Sequence, residues 1–240
     1  MNWIQHYQLF LFDFDGLLVD TERLHYAAYA ELCRRYGYIL SWDFPRFCKE
    51  AHTEAMGIWN GLFLEFPGLF KKQPRKEILY EEKKAIYLEL LAQSQLDLME
   101  GVAELLIALQ THGSKRAVVT NSPRAHIDLI QESLPLLKSI PLWLTREDYT
   151  KPKPSPEGYL KAIHLLGAPG DKIIGFEDSL KGIRALLSAG VDAVLVCPSG
   201  LEHVKECVSL GAKHVETLIS IEGFTGFDVG QNEKTQRPAV

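Results

Sequence analysis

From residue 98 onward, short apolar segments alternate with longer amphipathic ones. The apolar segments are predicted to be buried strands, at 116–120, 140–144, 172–176 and 193–197. The amphipathic segments have helical spacing, at 102–110, 125–132, 156–166, 180–189 and 201–210. Strands joined by helices of this length pair in parallel, because a tight hairpin cannot connect them. The pattern therefore predicts an α/β fold, with a parallel sheet and helices on both of its faces.

A further strand and a helical block precede this alternating region. Residues 8–12 (QLFLF) are short, aromatic and apolar, which predicts a buried strand that ends at Asp13. Residues 24–36 have helical spacing, 42–70 are aromatic-rich and predicted to be helical in pieces, and a charged helix is expected over about 74–92. The block contains no convincing strand, so it is predicted to be an insertion after the first strand.

The length of the chain suits this division. Its 240 residues, 46% of them hydrophobic, can bury a sizeable core. We predict an α/β core of residues 1–17 and 96–240 and an inserted helical domain of residues 18–95. The polar, Gly-rich residues 222–240 are expected to fray.

Charge and cysteine content exclude several functions. The chain has 31 acidic and 26 basic side chains, a net charge of −5, so it has no general reason to bind nucleic acid or an anionic membrane. No apolar run approaches the roughly 18 residues of a membrane-spanning helix. Four cysteines without CxxC spacing suggest neither a zinc cage nor a disulfide framework. We expect a cytoplasmic protein.

Polar side chains follow three of the predicted strands, where ligands bind in sheets of this kind. They are Asp13 and Asp15, Thr120 and Asn121, and Glu177 and Asp178, with Lys151 and Lys153 in a loop before a helix. The residues after the later strands also fit helix N-caps. Because residues i and i+2 of an extended segment point the same way, Asp13 and Asp15 would repel each other unless a cation intervened. Oxygen ligands of this kind favour Mg²⁺.

Four segments resemble, in order, the four motifs of the haloacid dehalogenase (HAD) superfamily. They are DFDGLLVDTE (13–22), VVTNS (118–122), KPSPEGYL (153–160) and GFEDSLKGI (175–183). The resemblance implies a HAD-like, Rossmann-like core, and the inserted helices resemble the type 1 cap of that superfamily. The TE pair and the EDS sequence resemble the beta-phosphoglucomutase-like and sugar-phosphatase branch.

The resemblance also implies catalytic roles. Asp13 is similar to the nucleophile that forms an aspartyl-phosphate, and Asp15 to the acid and base that serves the leaving group and then water. Thr120, with Asn121 beside it, matches the phosphate binder of the second motif. Lys153 matches the lysine that offsets the charge of the nucleophile and the phosphate.

The same resemblance implies a Mg²⁺ cofactor. Asp178 is similar to a direct metal ligand, and Glu177 to a second carboxylate at or near the metal. Asp13 contributes its carboxylate and Asp15 its backbone carbonyl. The third motif usually has a glycine before its lysine, but here Pro152 precedes Lys153. The repeated KPKP sequence also makes Lys151 a candidate for that lysine. The register of the motif favours Lys153.

The inserted helices leave one alternative open. His25 occupies the position of a cap histidine that beta-phosphoglucomutases use in proton transfer, and Lys49 fits a cap lysine of that subfamily. The arginine that grips the second phosphate of a mutase is absent, since Thr53 stands in its place. A phosphatase therefore fits better than a phosphosugar mutase.

The expected function is Mg²⁺-dependent hydrolysis of a small phosphorylated metabolite, such as a sugar phosphate. Dehalogenases of the superfamily lack the second Asp of the first motif, so Asp15 argues against that chemistry. A binding protein with an inactive site is a weaker alternative, because no member of the catalytic set is missing. We expect a monomer or weak oligomer.

Overall fold

The computed structural model describes residues 2–54 and 56–223, and its centre is a six-stranded parallel sheet. The strands are β1 (Leu9–Phe12), β2 (Lys115–Val119), β3 (Leu142–Leu144), β4 (Ile173–Glu177), β5 (Asp192–Val196) and β6 (Lys213–Val215). Their order across the sheet is β3-β2-β1-β4-β5-β6, and every neighbouring pair is parallel. The predicted α/β fold is confirmed.

The first strand lies in the middle of the sheet and is buried on both faces. Phe10 and Phe12 pack into one hydrophobic cluster, while Leu9 and Leu11 pack into a second cluster on the opposite face. This alternation follows from the two-residue period of a strand. A strand with apolar residues on both sides needs helices on both faces of the sheet.

Five helices accompany the strands after β1. They are α6 (Val102–His112), α7 (Arg124–Ser133), α8 (Glu157–Leu166), α9 (Leu180–Ser188) and α10 (His203–Ser209). Each lies at the predicted place within a few residues. The sequence pattern missed β6, because this edge strand has only three residues and none of them is fully buried.

The segment between β1 and α6 is helical, as predicted. Its helices are α1 (Glu22–Arg35), α2 (Phe44–Thr53), α3 (Gly57–Glu65), α4 (Pro67–Lys72) and α5 (Lys76–Leu91). The aromatic residues expected there form its interior, since Trp42, Phe47 and Trp59 are buried. Helix α5 begins after Pro74, at Lys76, because the backbone of Arg75 is still extended.

Two predictions on chain organisation are not settled by these elements. The domain boundaries at residues 17 and 96 stay a prediction, although the helical block has the expected position in the chain. The predicted fraying of residues 222–240 lies almost wholly outside the described residues.

Among the helices that the structure describes, none combines the length and apolarity needed to cross a membrane.

Candidate active site

The carboxyl ends of the central strands bring the predicted polar residues together. Asp13 directly follows β1, Thr120 follows β2, and Glu177 and Asp178 lie at the end of β4. A cavity of about 220 Å³ opens at this edge, and helices α1, α2, α3 and α5 complete its wall. Most of the predicted site residues line it: Asp13, Asp15, His25, Thr120, Asn121, Lys153 and Asp178. Glu177 lies behind this surface and is fully buried.

Lys153 is the buried cation of the site. Its Nζ lies 2.7 Å from Asp13 Oδ1 and 2.6 Å from Glu177 Oε1. Burial alone would lower the pKa of Lys153, but these two carboxylates hold that pKa above its ordinary value. Lys151 is exposed, and its backbone N–H donates to Glu157. The two lysines of the loop thus have different surroundings, and only Lys153 reaches the carboxylates.

Negative charge accumulates around Asp13. Burial, then repulsion from Glu177, raises the pKa of Asp13 to about 7 even though Lys153 is adjacent. Burial also raises the pKa of Asp178 well above its ordinary value. Asp13 and Glu177 share Lys153, so the carboxylate charge at this point exceeds the charge of that lysine, which favours binding of a cation.

Glu177 supports Lys153 from below the cavity. Its Oε1 accepts hydrogen bonds from Lys153 and from Tyr159 Oη, at 2.6 and 2.5 Å, and its Oε2 accepts one from Ser179 Oγ at 3.2 Å. Ser179 also caps α9, because its Oγ accepts from the Gly182 N–H. Tyr159 belongs to the KPSPEGYL segment, and the structure shows that its hydroxyl group contacts Glu177 of the site.

Gly182 is required by this arrangement. A Cβ atom there would lie 1.9 Å from the Glu177 carboxyl group, whose oxygens are already held by three donors. We expect Gly182→Ala to displace Glu177, to loosen Lys153 and to lower kcat by about 100-fold, the size of effect seen when a group at the reacting centre moves by about 1 Å.

The measurement for Gly182→Ala is steady-state release of phosphate, beside circular dichroism to verify folding. Gly190→Ala is the matched control, since Gly190 is a glycine at the end of the same helix with no atom within 4 Å of an added Cβ. Its positive φ of 73° will cost some stability, but kcat should stay within about twofold. Equal losses of kcat in the two variants would refute the assigned role.

Asp15 accepts hydrogen bonds from three hydroxyl groups and lies beside one imidazole. Thr21 Oγ1 donates to Oδ1 at 2.6 Å, while Ser122 Oγ and Thr120 Oγ1 donate to Oδ2 at 2.5 and 3.3 Å. His25 Nε2 lies 3.4 Å from Oδ1. Burial would raise the pKa of Asp15, but the bonds from His25 and the hydroxyl groups outweigh it and hold that pKa well below its usual range.

His25 links Asp15 to a buried lysine of the helical segment. The Nζ of Lys83, on α5, lies 2.6 Å from His25 Nδ1, and the imidazole stacks on Tyr87 with ring centroids 4.2 Å apart. Burial lowers the pKa of Lys83 to about 7. Burial and the nearby Lys83 also lower the pKa of His25. Sequence reasoning missed Lys83, because a lysine in a charged helix looks like a surface residue until α1 and α5 are packed together.

Thr120 and Asn121 differ in what their side chains contact. Thr120 is fully buried, and its Oγ1 accepts from the Ser122 N–H in addition to donating to Asp15. Asn121 Oδ1 accepts from Tyr149 Oη and from the Lys153 N–H, at 2.9 and 3.2 Å. The amide oxygen of Asn121 thus positions the loop that carries Lys153.

The donor set fits a hard divalent cation. One carboxylate oxygen from each of Asp13, Glu177 and Asp178 lies within 4.8 Å of the others, and all three residues are buried. Oxygen-only ligands with excess negative charge suit Mg²⁺. The metal roles of these three residues, and of the Asp15 backbone carbonyl, stay predictions. Lys49 stands apart from this centre, since it is exposed and paired with Glu202 at 2.7 Å.

Comparisons with known proteins agree with this geometry. The family model described as haloacid dehalogenase-like hydrolase matches residues 7–190. A phosphorylated carbohydrates phosphatase of Thermotoga maritima is 29% identical over 84% of this chain and 90% of its own. A validoxylamine A 7'-phosphate phosphatase of Streptomyces hygroscopicus subsp. limoneus is 30% identical over 78% and 84%.

A solved structure shows the same fold. CbbY from Rhodobacter sphaeroides, in complex with phosphate, superposes with a TM-score of 0.71 at 21% identity and covers 90% of this chain and 96% of its own. The family model spans most of the chain and includes all the residues gathered at the strand ends. The protein therefore belongs to the haloacid dehalogenase-like hydrolases.

Proposed function

We propose that this hydrolase is a Mg²⁺-dependent phosphatase that cleaves a small phosphorylated sugar, or a similar metabolite, through an aspartyl-phosphate on Asp13. The observation that supports the proposal is that two carboxylates, Asp13 and Asp15, line one cavity but have different surroundings. Asp13 contacts a buried cation, Lys153, whereas Asp15 accepts hydrogen bonds from hydroxyl groups and lies beside His25. Groups with separate environments of this kind can take separate chemical roles.

The chemistry divides into two steps. A carboxylate oxygen of Asp13 attacks phosphorus, and the bond from phosphorus to the leaving oxygen breaks while Asp15 gives that oxygen a proton. Water then attacks the phosphoryl group on Asp13, and Asp15 takes the proton of the water as inorganic phosphate leaves. Asp13 and Asp178 would hold Mg²⁺, which would supply positive charge that lowers the pKa of Asp13 and offsets the phosphate.

The proton that Asp15 needs for the first step has a path. His25 contacts both Asp15 and Lys83, so a proton can pass between the helical segment and the carboxylate. Burial brings the pKa of Lys83 to about 7, which suits exchange of a proton near neutral pH. In this proposal Thr120 and Lys153 hold the phosphate oxygens.

The size of the cavity limits the substrate. Its volume of about 220 Å³ lies below the roughly 300–1,000 Å³ of pockets for drug-sized ligands. Aromatic rings of the helical segment, including Tyr29 and Trp59, face this space and offer apolar surface with a polar tip to a substrate. Two relatives are named as phosphatases, one of phosphorylated carbohydrates and one of validoxylamine A 7'-phosphate. These names support the same substrate class.

A phosphosugar mutase would need a second binding site for phosphate. Thr53 occupies the position where the mutase carries its arginine, and Lys49 is paired with Glu202 outside the cavity. Simple hydrolysis therefore stays the favoured activity. Four free, buried cysteines favour a reducing compartment such as the cytoplasm.

The test is release of inorganic phosphate from a panel of phosphomonoesters that includes sugar phosphates, glycerol phosphates and nucleoside monophosphates. Sugar phosphates are expected to react fastest. A parallel assay follows isomerisation of beta-glucose 1-phosphate primed with the bisphosphate. Isomerisation without net release of phosphate would replace the phosphatase with a mutase.

Removal of the metal should abolish this activity. We expect EDTA to reduce phosphate release by at least about 100-fold and Mg²⁺ to restore it, because the excess carboxylate charge needs a cation. Asp178→Asn should raise the Mg²⁺ concentration for half-maximal rate at least about tenfold, since changes even beyond the ligands cost 10–100-fold in affinity. Asp192→Asn, on the far end of β5, is the control. Unchanged Mg²⁺ dependence in Asp178→Asn would contradict the assigned ligand.

A further inference from the structure

A second group of potential metal ligands lies beside the catalytic carboxylates. Glu22 is the first residue of α1, and Cys48 and His52 lie four residues apart on α2. Residues i and i+4 occupy the same face of a helix, so the thiol and the imidazole both point towards Glu22. One ligand atom of each residue lies within 4.8 Å of the other two.

The contacts of this group are close and shielded from solvent. Cys48 Sγ donates to Glu22 Oε2 at 3.5 Å, and His52 Nε2 contacts Glu22 Oε1. Cys48 and His52 are only 7% and 5% exposed. The imidazole nitrogen that contacts Glu22 is Nε2, so this is the nitrogen available to a cation.

We infer that Glu22, Cys48 and His52 form a binding site for a thiophilic divalent cation, with Zn²⁺ as the best match. A thiolate, an imidazole and a carboxylate are the three ligand types that Zn²⁺ takes in proteins, and three ligands leave one tetrahedral position open. Mg²⁺ prefers oxygen ligands and would not compete well for the thiolate. The two clusters therefore select different metals.

Binding would occur from the catalytic cavity. Glu22 and His52 line that cavity, whereas Cys48 does not. On binding, the S–H bond of Cys48 breaks, its proton passes to solvent, and the sulfur forms a bond to the metal, while neutral His52 gives a lone pair. No oxidant or reductant is needed.

The location gives the site a consequence for catalysis. His52 Nε2 lies 3.6 Å from Asp178 Oδ2, so a cation held by His52 would be a close neighbour of the carboxylates proposed for Mg²⁺. Its charge and its open position would disturb the phosphate site. We expect Zn²⁺ to inhibit the hydrolase, and excess Mg²⁺ to relieve that inhibition poorly.

The decisive experiment uses Co²⁺, which replaces Zn²⁺ and gives a near-ultraviolet charge-transfer band when bound to a thiolate. The full chain is stripped with a chelator, kept reduced and saturated with Mg²⁺ before Co²⁺ is added. We expect the band to saturate at about one Co²⁺ per chain, the stoichiometry of a single tetrahedral site. Absence of the band from folded wild-type protein would overturn the inference.

Variants identify the thiolate. Cys48→Ser should abolish the band, and His52→Gln should weaken Co²⁺ binding at least about tenfold. Cys197→Ser is the matched control, because Cys197 Sγ is also near an imidazole, 3.8 Å from His203 Nε2. A band that survives in Cys48→Ser, or disappears in Cys197→Ser, would refute the assignment.

A measurement on the wild-type protein covers the case in which Cys48→Ser fails to fold. Alkylation of each cysteine is followed by mass spectrometry with and without Zn²⁺, again at saturating Mg²⁺. Zn²⁺ should slow alkylation of Cys48 at least about tenfold and leave Cys197 within about twofold, because a metal-bound thiolate is protected. Equal rates at Cys48 with and without Zn²⁺ would exclude the site.

Discussion

Asp13→Asn should lower phosphate release by a factor of about 10⁴ or more, the scale seen when an enzyme loses its nucleophile. The amide cannot form the aspartyl-phosphate, yet it has nearly the shape of the carboxylate. It also keeps an oxygen that can accept from Lys153, which lies 2.7 Å from Asp13 Oδ1 in the wild-type protein. The measurement is steady-state phosphate release at saturating Mg²⁺.

The fold of this variant should survive, which makes the loss informative. Burial and Glu177 raise the pKa of Asp13 to about 7, so its ionised form is disfavoured inside the protein and a neutral amide removes that repulsion. We therefore expect the melting temperature without metal to be equal to or above that of the wild type. A folded Asp13→Asn variant with near wild-type turnover would rule out covalent catalysis at this residue.

Lys153→Met should cost both activity and stability. Removing one member of a buried ion pair leaves the other uncompensated, and the typical cost is about 3–5 kcal/mol. Here Asp13 and Glu177 would both lose their cation. Phosphate release should fall by about 10³-fold, as when a charged group that stabilises the transition state is removed. Urea unfolding and phosphate release measure the two effects.

Lys151→Met is the matched control, since both lysines belong to the same KPKP sequence. Lys151 is exposed, so its replacement should change the free energy of unfolding by less than about 0.5 kcal/mol and leave kcat within about twofold. The opposite ranking of the two variants would show that the loop register has been assigned wrongly.

Much of the centre was predictable because parallel strands align their carboxyl ends. Once 8–12 and 172–176 are recognised as parallel strands of one sheet, Asp13 and Asp178 are expected at the same edge of that sheet. The choice of Lys153 over Lys151 depended on the resemblance to the third HAD motif, whose register runs from Lys153 to Tyr159. The first inference depends on local sequence and on one topological rule, and the second on the family motif.

The remaining features depend on packing that no single segment reveals. Lys83 meets His25 only because α1 and α5 lie side by side. Gly182 matters because the Glu177 carboxyl group occupies the space of its missing side chain. Cys48 and His52 share a helix face, but their relation to Glu22 requires the crossing of α1 and α2. The cysteine spacing alone suggested no metal site.

The central position of β1 affects how the polypeptide is made. Leu9 pairs with Lys115 on one side and with Ile173 on the other, so β1 is synthesised before both of its partner strands and must wait for them. At synthesis rates of about 5–20 residues per second, the roughly 160 residues from β1 to β4 take about 8–30 s. During this interval LFLF is an apolar segment without partner strands, which can aggregate or bind chaperones. Early compaction of α1–α5 around their own aromatic residues would shorten the exposed nascent chain.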